Sequence, residues 1–167
     1  YGPASITGAV GNTLKVFDWA IFSSEYKLAK SLLELQKFEE AKLLYEEALV
    51  GIEHLVQGGV YYDPNDKQQD ERLEPVIDGL AVALHQLGHR HKTYDSALAM
   101  YERLLAQNQA LLGDMDPKTL SCVNRIAVVL RDMNRLAEAE AICVESLGTC
   151  TRVLGKDHPT TQLSVEI

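Results

Sequence analysis

The sequence predicts an all-α fold: a solenoid of antiparallel helix pairs, about three repeats long, with an N-terminal helical extension and a partial fourth repeat. Three observations predict it. The block Leu112-Gly113-Asp114-Met115-Asp116-Pro117-Lys118-Thr119 returns 42 residues later as Leu154-Gly155-Lys156-Asp157-His158-Pro159-Thr160-Thr161, with Leu, Gly, Pro and Thr coinciding. An Ala-centred pattern occurs three times in each of two helix types. Hydrophobic residues make up 46% of the 167 residues and aromatics only 7%. Leu and Ala dominate the apolar set, and these lose little side-chain entropy in a helix.

The elements follow in chain order. Residues 1–22 are expected to form a tail and a leading or capping helix. Leu14, Phe17 and Ile21 there, with Leu28 beyond, continue the stripe of Leu32 and Leu35 at helical spacing. The first helix of each pair, type A, is predicted over 24–36, 74–87 and 118–132. Each carries an apolar–Ala–x–x–Leu segment: Leu28-Ala29 to Leu32, Leu80-Ala81 to Leu84, and Ile126-Ala127 to Leu130. The second helix, type B, is predicted over 38–57, 94–112 and 136–153. There Ala41, Ala97 and Ala139 are followed four residues on by Tyr45, Tyr101 and Cys143. A small residue lets two axes approach, and the larger one shares its face and fills the gap beyond.

Between pairs, glycine is expected to supply a left-handed C′ position. Asp116 is expected to cap the next helix, with Pro117 in its first turn. Two insertions interrupt the pattern. The linker from Gly58 to Glu74 contains Asp63-Pro64 and a polar run, and Gly88 to Thr93 reads as an expanded A–B turn. Pro159 to Ile167 copies the start of another A helix, so the natural chain is expected to continue or to be completed by another subunit.

These paired helices resemble tetratricopeptide repeats. The 42-residue spacing with LGxxxPxT between pairs is similar to the kinesin-light-chain subclass. The resemblance covers about residues 24–167, and it implies a right-handed α-solenoid over 23–167, with repeats at about 23–60, 74–113 and 117–154 and a partial one at 159–167. It also implies a concave surface lined by A helices that binds an extended or helical peptide. The matching positions are Tyr26, Lys27, Lys30 and Leu33 in the first A helix, Asp78, Gly79, Val82 and His85 in the second, and Asn124, Arg125, Val128 and Arg131 in the third. Asn124 matches a family asparagine that hydrogen-bonds peptide backbone. The Lys/Asn clamp of chaperone-binding members is not reproduced. Phe17-Asp18-Trp19 resembles the tryptophan-plus-acidic peptides such repeats accept, which raises self-association through the N-terminal segment or the open C-terminal repeat as an expectation.

The net charge of −8 argues against general binding to nucleic acid or anionic lipid. Lys27, Lys30, Arg125 and Arg131 would favour an acidic or amphipathic peptide if they converge. No apolar run approaches the ~18 residues of a membrane span, and no signal peptide is evident. An intracellular, cytoplasmic setting is therefore expected, with organelle import left open by the absent initiator Met. The three cysteines form no CxxC pair and are expected as buried reduced thiols.

No phosphate loop, GxSxG elbow or nucleophile–base pair is present, so neither catalysis nor a cofactor is expected. His85, His89 and His91 form HxxxHxH beside Asp95. The first two share a helical face, but two of the three fall in the predicted turn, so no metal site is expected. The sequence thus predicts a scaffold or adaptor, with a structural subunit of a larger assembly as the alternative.

Overall fold

Small residues at fixed intervals decide where the helices of this chain can meet. The computed structural model describes residues 23–57 and 68–166. Helix α1 spans residues 23–34. After it come α2 (Phe38–Gln57), α3 (Gln68–His91), α4 (Asp95–Leu112), α5 (Pro117–Asp132), α6 (Leu136–Val153) and α7 (Pro159–Glu166). No strand occurs among the described residues. The expected leading helix, with Phe17-Asp18-Trp19, and the polar run around Asp63-Pro64 lie outside the described residues.

The chain divides into two compact units, residues 1–80 and 81–167. In the first, Ala29 of α1 and Ala41 of α2 are both 0% exposed, as expected of residues that set the distance of approach. Tyr45, one turn beyond Ala41, is buried and packs its ring 6.2 Å from that of Tyr26. Gly79 makes this seat possible, because a Cβ there would lie 2.3 Å from the Tyr45 ring. Leu32 is half-buried, whereas Leu28 and Leu35 of the same stripe are exposed.

Helix α3 starts at Gln68, six residues before the expected position, and runs through Pro75. The sequence pattern places Pro75 in the first turn, where proline costs least. An interior proline costs about 3 kcal/mol. Burial of Val76, Ile77 and Leu80 just beyond it, at about 1.5–3 kcal/mol each, offsets that.

In the second unit, Ala81 and Ala127 of the A helices and Ala97 of a B helix are 0% exposed, and Ala139 is 4% exposed. The core gathers Ala81, Tyr94, Tyr101, Ile126, Val129 and Leu130 around them. Of the larger residues four on from the B-helix alanines, Tyr101 is buried and Cys143 is half-buried. The three cysteines are free thiols.

The expanded A–B turn at Gly88–Thr93 is corrected by the structure: α3 continues to His91. Gly88 does not stop the helix. It clears space for Tyr94, whose ring would lie 2.5 Å from a Cβ at that position. The helix ends instead at Lys92, with φ +58°, and the same left-handed step occurs at Gln36 (+59°) and Asn134 (+62°). The first and third A–B turns also share a pair of backbone hydrogen bonds, whereas in the second the Lys92 amide donates to the Gly88 carbonyl. In the first, the Gln36 amide donates to the Leu33 carbonyl and the Lys37 amide to that of Leu32; in the third, Asn134 donates to Arg131 and Arg135 to Leu130. These paired bonds satisfy the last carbonyls of the helix.

Between repeats, the expected stop–turn–start is present with one change. Gly113 has φ +88° and ψ 169°, a region open essentially to glycine alone and distinct from the left-handed helical one. Gly155 has φ +89°. The Asp116 carboxylate accepts from the Lys118 amide at 2.8 Å and Pro117 opens α5. At the matching place 42 residues on, Nδ1 of His158 accepts from the Thr160 amide at 3.2 Å. The shift also holds inside the core: Asn108 donates to Cys122 Sγ, and Ser164 donates to Cys150 Sγ.

Candidate functional site

The residues expected on the A-helix face are described unit by unit. In the first unit, Lys27 and Lys30 are exposed, Asp78 and Leu33 are half-buried, and Tyr26 leans on Tyr45. In the second, Val82 is half-buried against the core. Arg125 lies over the Tyr101 ring, 5.8 Å from its centroid. Val128 is half-buried. Arg131 is exposed, and its Nε and Nη2 each lie 3.4 Å from Oδ1 of Asp132.

Asn124 departs from its expected role. It is 0% exposed and lies between three helices of its own chain. Its Nδ2 donates to the Thr160 carbonyl at 2.8 Å and to Ser164 Oγ at 2.7 Å, both in α7, and its Oδ1 accepts from Ser146 of α6. The physical reason is the partial repeat. Helix α7 packs on α5 and α6, and a buried amide must find partners there, since an unmet one costs about 1–3 kcal/mol. In this arrangement Asn124 joins repeats and has no surface to offer a peptide.

His85 has an environment the sequence did not disclose. Its Nε2 donates to Oδ2 of Asp132 at 2.9 Å. Nε2 of His89 lies 3.6 Å from the same oxygen. The two imidazole centroids are 4.8 Å apart. Nδ1 of His89 hydrogen-bonds the Tyr94 hydroxyl at 3.2 Å. Burial pushes the His85 pKa below its usual value, against the hydrogen bond and charge of Asp132. His91 and Asp95, which the spacing had grouped with these histidines, are exposed and stand outside the cluster. Asp132 is 47 residues from His85 in the chain. Only the pairing of consecutive A helices could have found it.

A second feature lies on the B-helix side. A cleft of about 620 Å³ runs between α4 and α6, with α5 as its floor. Leu105, Val123, Ile126 and Ile142 make it apolar, and Glu102 and Glu145 stand among its lining. Ile126 enters the sequence pattern only as a neighbour of Ala127, and the others are not singled out by it, because each reads as an ordinary position of an amphipathic helix. Among the described residues, no helix is long and apolar enough to cross a membrane.

Comparison with known proteins places this architecture. BtubC (BKLC) from P. vanneervenii is a similar solved structure, with a TM-score of 0.63 at 20% identity over 93% of the chain. The chain spans 56% of the length of that protein. At this identity the likeness shows the fold. No curated protein matches the chain. Residues 119–160 match the family model described as tetratricopeptide repeat. That stretch runs from the first turn of α5 to the start of α7 and contains Ala127, Ala139 and the Gly155 linker. Residues 119–160 accordingly match a tetratricopeptide repeat, set in an all-α helical-repeat fold.

Proposed function

We propose that the chain is a protein-interaction scaffold that binds a partner peptide or helix along its A-helix face. Tetratricopeptide repeats generally mediate protein–protein interaction. The observation that carries the finer reading is the side-chain character of that face in the second unit. Val82 and Val128, one from each A helix, are partly exposed apolar groups at matching repeat positions, and Arg125 and Arg131 flank the latter. Such a mixture suits an amphipathic or acidic segment. Capture from native extract followed by mass spectrometry would supply the partner. A labelled peptide from it should then bind at least about tenfold more weakly to Arg125→Glu/Arg131→Glu. Unchanged affinity in that variant would remove this face from the reading.

A second reading, a structural subunit within a larger assembly, is favoured by a different observation. Large apolar side chains stand in water on the B helices: Leu43 and Val50 on α2, and Leu136 and Val144 on α6, the last 69% exposed. In the second unit, Leu136, Val144 and the apolar cleft supply surface that such an assembly would cover, as Leu43 and Val50 do in the first. Sedimentation of the purified chain separates the two, since a stable monomer at working concentration supports the adaptor.

A further inference from the structure

We infer that His85, His89 and Asp132 form a binding site for a divalent transition-metal ion, with zinc the ion it fits best, clamping α3 to α5. The donor set is two imidazoles and one carboxylate, a set zinc accepts with a fourth position left to water or another ligand. All three donor atoms lie within 4.8 Å of one another. In a tetrahedral site with bonds of ~2.0–2.1 Å, ligand atoms are about 3.3 Å apart. The carboxylate oxygen is 2.9 Å from one imidazole nitrogen and 3.6 Å from the other, bracketing that value. The third separation, between the two imidazole nitrogens, is bounded by 4.8 Å, so seating the ion takes a movement of up to about 1.5 Å, which rotation of the exposed His89 ring can supply.

Orientation is supplied by neighbours. His85 and His89 sit one turn apart on one helix, so their rings share a face. The Tyr94 hydroxyl holds Nδ1 of His89 and thereby turns its Nε2 towards Asp132. Arg131 engages Oδ1 of Asp132 and leaves Oδ2 to the histidines. Partners of this kind fix tautomer and ring angle, and their loss typically weakens metal binding about 10–100-fold. The side chains of His85 and Asp132 are 12% and 16% exposed, whereas His89 is 46% exposed. The ion would therefore sit at the mouth of the cluster, with its fourth position towards solvent. Zinc replaces the Nε2 proton of His85. That ring then coordinates through Nε2 and carries its proton on Nδ1, or releases one proton to solvent when the other nitrogen was already protonated.

Isothermal titration of tag-free full chain with zinc chloride tests the site. One equivalent should bind, with a rise in Tm, because an ion bound to the folded state alone stabilises it. Cobalt as a spectroscopic substitute should give visible absorption bands of four-coordinate intensity. His89→Ala removes an exposed ring and leaves the core intact, so its expected effect is at least a tenfold loss of affinity in a folded protein. Asp132→Asn should behave likewise. Tyr94→Phe keeps the packed ring and should lower affinity severalfold with little change in the Tm of the metal-free protein. Absence of zinc binding at about 100 µM to the folded wild-type chain would overturn the inference. Binding that survives His89→Ala would overturn it too, and loss in Cys143→Ser instead would place the ion on that thiol.

Discussion

At the scale of single residues, the left-handed turns carry removable strain. Gln36 and Lys92 hold φ near +59° and +58° without being glycine. Such a conformation costs an L-residue with a long side chain about 1 kcal/mol. Glycine removes that cost but adds freedom to the unfolded chain, which takes part of the gain back. Gln36→Gly and Lys92→Gly should each stabilise the fold by about 0.5–1 kcal/mol, read as a higher urea midpoint at unchanged slope. Asn134→Gly should change little, because asparagine tolerates this region. Tyr45 offers a test by pH. Burial first, then the charges of Tyr26, Asp78 and Glu34, push its pKa from 10.0 up to about 12. Between those values the folded state keeps a proton that the unfolded state has lost. Stability therefore falls as pH rises from about 10 towards 12, and Tyr45→Phe should flatten that part of the profile.

Elements show where the sequence could be read and where it could not. The ends of α2, α5 and α6 were legible to within a residue, because each has local punctuation: an A–B turn before α2 and α6, and Asp116-Pro117 before α5. Asp116→Ala should accordingly cost about 1 kcal/mol, while His158→Ala should cost less, since its ring nitrogen makes a longer cap bond at 3.2 Å. Paired thermal melts of the two variants decide the order. Helix α3 extends beyond its expected bounds at both ends. Pro75 and Gly88 are punctuation by type, yet the burial of Ile77 and the packing of Tyr94 overrule them. Tertiary contacts of that sort are absent from a local window. The candidate site shows the same division. His85 and His89 could be paired from their spacing, but Asp132 belongs to the next A helix. Asn124 is placed in the peptide groove by family likeness, whereas the hydrogen bonds that hold it come from α6 and α7 and leave no local signal. Its removal should therefore be felt as loosened docking. Asn124→Ala leaves the Ser146 and Ser164 hydroxyls and the Thr160 carbonyl short of a partner. A loss of about 2–4 kcal/mol is expected, with hydrogen-exchange protection falling in α7 before the other helices.

For the molecule as a whole, charge acts at two ranges with opposite sign. The net charge of −8 repels an acidic partner from a distance, while the A-helix face offers Arg125 and Arg131 close at hand. Asp132 offsets part of the second arginine, so the local surplus is small. Salt shortens the reach of both effects to about 10 Å at 0.1 M and 3 Å at 1 M. Contact pairs survive screening better than long-range repulsion does. If the arginines touch the partner, modest salt first lifts the repulsion and higher salt then weakens the contacts. Affinity for an acidic peptide should pass through a maximum as sodium chloride rises from about 0.02 to 0.5 M. Charge reversal at both arginines removes the attraction and leaves the repulsion, so the variant's weak affinity should climb with salt throughout. Fluorescence anisotropy titrations of wild type and variant across that range measure both curves. Two parallel curves would mean that the partner meets some other surface, and the apolar B-helix side around Val144 would be the next to test.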